Sequence, residues 1–309
     1  MEDPNLSYLI GTRNRLPVLR VVLPRLIEHR REDEEIVVVD GGSTDGAVEY
    51  LADLLKTGLI QQFISKPDLG QAHCYNRGLL TARGRLIKII NDDDAFYWPG
   101  VDACKRFMLD HEEIDILGSN GGGTNWTRSD CFMPFDYGDA YLRWRDDHTC
   151  FEFCDLGLMI RRASLPLLGL FNPAFVRVDM EYTLRVTQGP AKLAWHLGYD
   201  YMRISHGQSS AVTRSARLAD EACYEAAHAG VQGVRPRALK TPASLSYYRR
   251  LRSASGRLRR RLLPFVGKAS QSVSKMPDTS QGADEWLEIF ENAEKWLADK
   301  NAQPGEFLL

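Results

Sequence analysis

Long apolar runs are absent from this sequence of 309 residues, and neither sign of charge is in clear excess. No run approaches the roughly 20 apolar residues that a membrane-spanning helix needs, so an integral membrane protein is not expected. The 39 Lys and Arg residues nearly balance the 41 Asp and Glu residues, which leaves a net charge of −2. Because proteins are drawn to phosphate backbones by an excess of positive charge, the composition gives no indication of a nucleic-acid partner.

Patterned cysteines are also missing. The six cysteines are scattered, and none forms a Cys-x-x-Cys pair. This usage is typical of reduced, mostly buried thiols in a cytosolic protein of this size. No signal-peptide pattern opens the chain. We therefore expect a cytoplasmic protein with either one large α/β domain and an appendage or two domains.

Three consecutive carboxylates, Asp92-Asp93-Asp94, stand out among what is present. They follow the apolar run 86–90, which we interpret as a buried strand. In open α/β sheets, ligands bind just outside the carboxyl ends of the strands. Three adjacent carboxylates repel one another unless a cation lies among them, and Mg²⁺ or Mn²⁺ takes carboxylate oxygens while keeping positions for phosphate. The sequence therefore predicts a metal-bridged phosphate site, with a solvated acidic turn as the alternative.

Strand and helix patterns alternate over the first hundred residues. Short apolar runs at 6–10, 36–39, 59–65 and 86–90 are separated by three segments with helical spacing of apolar residues. This order favours a parallel sheet with right-handed crossovers. The polar residues that follow the strands should then converge on one edge of the sheet, and they are Thr12, Arg13, Asp40, Asp68 and the three aspartates.

The pattern is weaker beyond residue 110. We predict a strand at 114–119, a flexible loop at 120–124 because of its three glycines, and a further strand at 155–160. A helix should begin near Asp179, whose carboxylate would then lie at the positive end of the helix dipole.

The character of the chain changes after about residue 215. Seven Arg and no acidic residue occupy 249–261, and the apolar run 262–266 follows. Such a segment is attracted to anionic membrane surfaces, and a solvated helix face or pairing with the acidic last helix is an equal alternative. That last helix must pack on the main domain or on another chain of a homo-oligomer, because one face carries Trp286, Ile289, Phe290, Ala293, Trp296 and Leu297.

Several short motifs occur in a fixed order along the chain. They are Thr12-Arg13-Asn14, Val39-Asp40-Gly41-Gly42-Ser43-Thr44-Asp45-Gly46, Ser65-Lys66-Pro67-Asp68-Leu69-Gly70, Asn76-Arg77-Gly78, and Asn91-Asp92-Asp93-Asp94 with Pro99-Gly100 behind it. This set resembles the family-2 glycosyltransferases of the GT-A fold. The resemblance is close over residues 6–100 and sparser up to His206.

The resemblance implies an α/β protein of the GT-A (nucleotide-diphospho-sugar transferase) fold, with a mostly parallel central sheet flanked by helices. The catalytic domain would occupy residues 1–215, with a nucleotide-binding half at about 1–120 and an acceptor half at about 121–215. Residues 216–309 would form a helical C-terminal extension outside the resemblance.

The resemblance also implies roles for residues on the nucleotide side. Thr12 and Arg13 would line the nucleotide site. Asp40 would accept a hydrogen bond from the base, as a carboxylate can. Asp68 and Arg77 would lie near the nucleotide and the diphosphate.

The carboxylate triplet would be the family's DXD motif. Asp92 and Asp93 would lie near the nucleotide, with Asp92 close to the ribose, and Asp94 would bind Mn²⁺ or Mg²⁺. Ala95 stands where many members have a further Asp, so the assignment among the three stays open by one position. His206 resembles the late histidine that completes the metal site, and an ordinary core or surface histidine is an equal alternative.

The general base implied by the resemblance is Asp179. It matches the second residue of the family's Glu-Asp pair, six residues before Arg185, although Val178 replaces the Glu. A plain helix-capping role is the alternative for Asp179. Glu181 is the second candidate for the base.

The predicted function is an inverting, metal-dependent glycosyltransferase of the hexosyltransferase type. Its donor would be a nucleotide-diphosphate sugar, by resemblance a UDP-sugar, and its acceptor a glycan or a lipid-linked hydroxyl in polysaccharide, lipopolysaccharide or glycoconjugate synthesis. Peripheral contact with the inner face of the membrane would suit a lipid-linked acceptor.

Two other functions compete with this prediction. A sugar-phosphate nucleotidyltransferase would need a Lys in a Gly-rich loop after the first strand, and the first 55 residues contain no Lys. A catalytically inactive nucleotide-sugar-binding protein would not need the acidic triplet, Asp179 and His206 together.

Overall fold

The computed structural model of the protein describes residues 3–126, 128–206 and 283–309. The basic segment 249–261 and the apolar run 262–266 lie outside the described residues, so their predicted contact with a membrane stays a prediction. Within the described ranges, no helix is both long enough and apolar enough to cross a bilayer.

The nucleotide-binding half alternates strands and helices, as the sequence predicts. Its elements are β1 (Leu6–Thr12), α1 (Leu16–His29), β2 (Glu34–Asp40), α2 (Ala47–Lys56), β3 (Gln62–Ser65), α3 (Gln71–Thr81) and β4 (Leu86–Asn91).

The second half is less regular. Its elements are β5 (Ala95–Phe96), α4 (Trp98–Asp110), β6 (Ile116–Asn125), β7 (Arg128–Phe135), α5 (Gly138–Asp147), β8 (Met159–Arg161), α6 (Leu165–Leu168), α7 (Val178–Gln188), β9 (Leu193–Ser205), α8 (Ala283–Lys300) and β10 (Phe307–Leu308). The strand predicted at 155–160 is shorter than expected, because a 3₁₀ turn at Asp155–Gly157 precedes β8.

One mixed sheet joins both halves. Its strand order is β10-β9-β6-β8-β4-β1-β2-β3, with β5 paired to β9 and β7 paired to β6. Strand β1 pairs in parallel with β2 and β4, and β6 pairs in parallel with β9. Strand β8 runs antiparallel between β4 and β6. Strand β2 is buried along its whole length, which agrees with its unbroken apolar run and confirms the predicted central parallel strand.

The prediction of a flexible loop at 120–124 is wrong, because these residues continue strand β6. The ring of Tyr201 on the paired strand β9 lies directly over Gly121, and the ring of Phe135 on β7 lies over Gly123. A Cβ atom at either glycine would overlap an aromatic ring. These glycines therefore permit the close approach of large side chains, a use of glycine that strand interiors share.

The C-terminal helix α8 packs on the main domain. Its apolar face is buried in the same core as α1 and β9, through Trp286, Ile289, Phe290, Ala293 and Leu297. Outside this face, Arg25 Nε of α1 donates to Glu294 Oε1 over 2.9 Å. Strand β10 then extends the sheet along β9. The predicted boundary at residue 215 stays a prediction, but the described part of the extension shares the core of the catalytic domain.

Replacing Leu297 by Ala should test this packing. The side chain of Leu297 is fully buried, so we expect Leu297→Ala to lower the free energy of unfolding by about 2–5 kcal/mol. Leu287, on the same helix, is 36% exposed, and Leu287→Ala should change it by less than about 0.5 kcal/mol. Urea unfolding followed by circular dichroism measures both. Equal, small effects would show that α8 does not share the domain core.

Candidate active site

A cleft of about 660 Å³ opens at the carboxyl ends of β1, β4 and β9. This is the edge at which the sequence predicts that the strand-end residues converge, since parallel strands present their carboxyl ends together. Its polar and charged lining includes Thr12, Arg13, Arg15, Asp68, Gln71, Tyr75, Asn91, Asp92, Asp93, Asp94, Asp155, Arg177, Asp179, Arg203 and Ser205.

Asp92 and Asp93 are held by side chains from two other parts of the chain. Arg15 Nη1 donates to Asp92 Oδ1 over 3.0 Å and also to Asp93 Oδ2. His206 Nε2 lies 2.7 Å from the same oxygen of Asp93. Both aspartates and His206 are buried, and burying a charge is costly unless it is paired. Arg15 and His206 therefore stabilise the ionised form of this pair.

Asp94 is held differently, because the protein uses both of its oxygens. The backbone N–H of Ile204 donates to Asp94 Oδ1 over 2.7 Å, and Asn91 Nδ2 donates to Oδ2 over 2.9 Å. Asp94 thereby ties the end of β4 to the end of β9. Both oxygens of Asp94 are therefore engaged by the protein itself.

Burial and the nearby charges set the protonation of the triplet. Burial raises the pKa of Asp92 to about 6, with Arg15 acting against it and Asp93 adding to it. Burial would also raise the pKa of Asp93, but Arg15 and His206 lower it to about 2. Burial and the charge of Asp93 raise the pKa of Asp94 well above its ordinary value. Asp93 is therefore the carboxylate that is most fully ionised near neutral pH.

These residues fit a divalent cation. Asp93 lines the cleft and offers a carboxylate oxygen, and His206 offers an imidazole nitrogen that lies 2.7 Å from that oxygen. Carboxylate suits Mg²⁺ and Mn²⁺, and imidazole is a common ligand of first-row metals. Mg²⁺ is usually bound through one or two carboxylates together with substrate phosphates and waters, so a site with few protein ligands is chemically reasonable.

Of the five residues predicted on the nucleotide side, three line the cleft and two do not. Thr12, Arg13 and Asp68 line it. Arg77 instead donates from its guanidinium to the backbone oxygens of Lys66 and Pro67, at 2.8 and 2.9 Å. Arg77 therefore stabilises the loop that carries Asp68, and it does so from outside the cleft lining.

Asp40 is completely buried and is not part of the cleft lining. Its Oδ2 accepts hydrogen bonds from the backbone N–H groups of Gly42 and Ser43, at 2.9 and 3.0 Å, and from Ser65 Oγ at 2.7 Å. The hydroxyl of Ser43 also donates to Asp40 Oδ1. Asp40 shapes the loop after β2, and in this conformation its oxygens are not available to a nucleotide base.

The two candidate bases near the start of α7 separate clearly. Asp179 lines the cleft, and burial raises its pKa against the charge of Arg177 and the N–H of Met180. Glu181 is buried away from the cleft and forms a two-point ion pair with Arg185, at 2.7 and 3.2 Å. Only Asp179 is placed to meet a ligand in the cleft.

Sequence reasoning missed Asp155 as a partner of Asp179. The carboxylate oxygens of both residues and the thiol of Cys154 lie within 4.8 Å of one another. Tyr75 OH donates to Asp155 Oδ2 over 3.0 Å and also lies against Asn91 Oδ1. This network connects the strand end that carries the acidic triplet to the carboxylate pair. No sequence motif marked Asp155, because Tyr75 and Asp179 come from two distant helices, α3 and α7.

Arg15 and Arg203 were also missed. Arg15 directly follows the Thr12-Arg13-Asn14 motif, so its position could have signalled it. Arg203 extends into the cleft from β9, and its charge acts on both Asp94 and Asp179. Arg15 and Arg203 thus place positive charge beside the acidic residues of the cleft.

A comparison with known families agrees with this geometry. The family model described as "Glycosyl transferase family 2" matches residues 7–166, just over half of the chain. The chain belongs to this family. The matched part of this family-2 glycosyltransferase contains β1 to β4, the acidic triplet and Asp155, whereas Asp179 and His206 lie beyond it.

Similar proteins are glycosyltransferases as well. A PGL/p-HBAD biosynthesis glycosyltransferase of Mycobacterium bovis is 28% identical over 199 residues, which cover 62% of this chain and 73% of that protein. A Mycobacterium tuberculosis protein of the same name aligns with the same values.

Solved structures support the GT-A fold. Staphylococcus aureus TarS 1–349 in complex with UDP-GlcNAc superposes with a TM-score of 0.53 at 16% identity, over 66% of this chain and 59% of that one. A longer TarS chain gives a TM-score of 0.52 at 14% identity, over 75% of this chain and 41% of that one. The glycosyltransferase described here therefore spans less than two thirds of either TarS chain, and at these identities the likeness concerns the fold alone.

Asp155 should make the stability of this glycosyltransferase depend on pH. Burial and the charge of Asp179 raise its pKa from 3.8 to about 7, so between these values the folded protein binds a proton that the unfolded chain lacks. Its contribution to stability is thus complete at low pH and is lost as the pH rises through about 7. Asp155→Asn has no carboxyl group at this position and so does not undergo this loss. The free energy of unfolding of the variant minus that of wild type should therefore increase from acidic pH to neutral pH and then level off.

Urea unfolding of both proteins across this pH range measures the difference. Asp139→Asn, at an exposed position on α5, should show a difference that does not change with pH. A pH-independent difference for Asp155→Asn as well would mean that Asp155 titrates at an ordinary pKa.

Proposed function

We propose that this chain is an inverting, metal-dependent transferase that moves a sugar from a nucleotide-diphosphate sugar to a hydroxyl acceptor. The observation that carries the proposal is that one cleft is lined both by Asp93, which lies within hydrogen-bonding distance of His206, and by Asp179 with Asp155. The first pair suits the diphosphate of a donor. The second suits an acceptor that must lose a proton.

The donor end is formed by residues of the strand-end loops. Thr12, Arg13 and Asp68 would contact the nucleotide. Asp93, rather than the Asp94 predicted from the sequence, would hold Mn²⁺ or Mg²⁺ together with His206, and the ion when bound would neutralise the diphosphate leaving group. Arg15 keeps Asp92 and Asp93 ionised and in position before the donor arrives.

At the acceptor end, Asp179 is the general base. It accepts the proton of the acceptor hydroxyl while that oxygen attacks the anomeric carbon from the face opposite the diphosphate, so the configuration inverts. Burial raises the pKa of Asp179, which makes it a stronger base than a solvated aspartate. Arg203 places positive charge between the two ends.

A UDP-sugar donor and a glycan or lipid-linked acceptor complete the proposal. The donor class follows from the family resemblance, and the TarS structure in complex with UDP-GlcNAc offers a precedent within the fold. The mycobacterial relatives are named for PGL/p-HBAD biosynthesis, and the acceptor class proposed here follows from the family resemblance alone. The alternative of a nucleotidyltransferase does not fit the family. An inactive binding protein is separated from an enzyme by the two experiments below.

The metal assignment is tested by comparing neighbouring aspartates. Wild-type protein should release UDP from a UDP-sugar when Mn²⁺ is present and lose this activity in EDTA. Asp93→Asn should abolish the activity. It should also abolish the additional rise in the melting temperature of the protein that Mn²⁺ causes when UDP is present, since a ligand stabilises only the state that binds it. Asp94→Asn should keep a measurable Mn²⁺ response, because Asn can still accept the bond from Ile204.

The reverse result, with Mn²⁺ binding lost in Asp94→Asn and kept in Asp93→Asn, would restore the assignment predicted from the sequence. Binding of UDP-sugars without any turnover would instead indicate an inactive binding protein.

The base assignment is tested by Asp179→Asn, which keeps the size of the side chain but cannot accept a proton. Sugar transfer should fall by about 10²- to 10⁴-fold, the usual contribution of a general base, while the affinity for the donor stays near that of wild type. Glu181→Gln is a suitable control, because its effect should be confined to the ion pair with Arg185 and hence to stability. Transfer lost in Glu181→Gln and retained in Asp179→Asn would make Glu181 the base.

A further inference from the structure

Trp286, near the start of α8, lies beside His206. The two ring centroids are 5.4 Å apart and the ring planes meet at 80°, an edge-to-face arrangement that aromatic pairs prefer. Trp286 is 2% exposed and His206 1% exposed. The contact is thus part of the packed interior.

The same indole covers the ends of two parallel strands. Its ring centroid lies 4.3 Å from that of Trp126, just after β6. The backbone N–H of Trp126 donates to the backbone oxygen of Ser205 at the end of β9, over 2.9 Å. Ser205 directly precedes His206, and Ile204 before it holds Asp94. Trp286 therefore packs over the junction that brings His206 to Asp93.

A ligating histidine needs a fixed ring orientation, and loss of a group that orients it typically weakens metal binding or activity by about 10- to 100-fold. Here Asp93 holds one ring nitrogen, and the indole of Trp286 packs edge-to-face against the ring. Because both contacts are buried, a change in one should alter the direction of Nε2.

We propose that Trp286 is a positioning residue for His206, and that helix α8 thereby completes the metal-binding end of the cleft. The inference rests on the proposed function, since it assumes that Asp93 and His206 hold the metal. It gives the C-terminal helix, which lies beyond the family match at residues 7–166, a part in the chemistry of the catalytic domain.

The test compares Mn²⁺ binding to the full chain with that of three variants, with Mn²⁺ alone and with Mn²⁺ plus UDP. Electron paramagnetic resonance of free Mn²⁺ gives the affinity without requiring turnover. Trp286→Leu keeps an apolar side chain but removes the ring, and should weaken Mn²⁺ binding by about 10-fold or more. Trp286→Phe keeps an aromatic ring and should recover most of the affinity.

Phe290→Leu is the matched control. Phe290 lies one turn further along α8, is 1% exposed, and packs against Trp286 with a centroid distance of 6.2 Å. Its replacement should lower stability as Trp286→Leu does but leave the Mn²⁺ affinity close to the wild-type value. Unchanged Mn²⁺ binding in Trp286→Leu, or an equal loss in Phe290→Leu, would overturn the inference.

A second measurement covers the case in which Trp286→Leu does not fold. The ring protons of His206 should show a ring-current shift in NMR spectra that Trp286→Phe changes and Phe290→Leu leaves in place. Unchanged chemical shifts of the His206 ring protons in Trp286→Phe would also refute the positioning role.

The experiment separates this inference from the proposed function. A wild-type chain that binds no Mn²⁺, with or without UDP, would overturn both. Mn²⁺ binding that is lost in Asp93→Asn but survives Trp286→Leu would leave the metal site in place and overturn the role of Trp286 alone.

Discussion

The burial of three consecutive carboxylates at the end of β4 is the constraint on which the rest of the site depends. Three negative charges this close, in a region largely shielded from water, are unstable without partners. The chain supplies Arg15 from the loop after β1, and His206 and the N–H of Ile204 from the end of β9. Asp92 and Asp93 share Arg15, Asp93 also contacts His206, and Asp94 accepts from Ile204, so the three carboxylates differ in protonation.

The strand order of the sheet brings these partners close to the three aspartates. Strand β4 lies next to β1, which brings Arg15 to the triplet. Strand β9 is several strands away in the main order, yet the short strand β5, directly after the triplet, pairs with it. This pairing carries residues 204–206 to the carboxyl end of β4. The glycines of β6 allow aromatic residues of β9 and β7 to pack closely at the same edge, which strengthens the part of the sheet that delivers His206.

The C-terminal segment belongs to this arrangement rather than to a separate unit. Helix α8 packs against α1 and β9, and Asn301, just after it, exchanges hydrogen bonds with the backbone of Tyr199 at 3.0 and 2.8 Å. Strand β10 then pairs with β9. The last described residues thus stabilise strand β9, which His206 directly follows. In this way residues beyond the family match at 7–166 support one side of the cleft.

The sequence by itself determined the strand and helix order of the first hundred residues and the position of the acidic triplet, because apolar periodicity and motif order are local properties. It also led to the family and the GT-A fold, both of which are confirmed. Only the tertiary structure decided how the polar residues are used. Asp40, Arg77 and Glu181 resemble site residues in sequence, yet their side chains bind the protein itself.

The reason is physical: a carboxylate or guanidinium takes its role from its hydrogen-bond partners, and those partners are distant in the chain. Asp94 is held by Ile204, 110 positions away, and Asp93 by His206, 113 positions away. Asp155 acquires its raised pKa from burial and from Asp179. No local pattern encodes such contacts, so the different partners of Asp93 and Asp94, and the place of Trp286 beside His206, emerged only when the sheet and its helices were assembled.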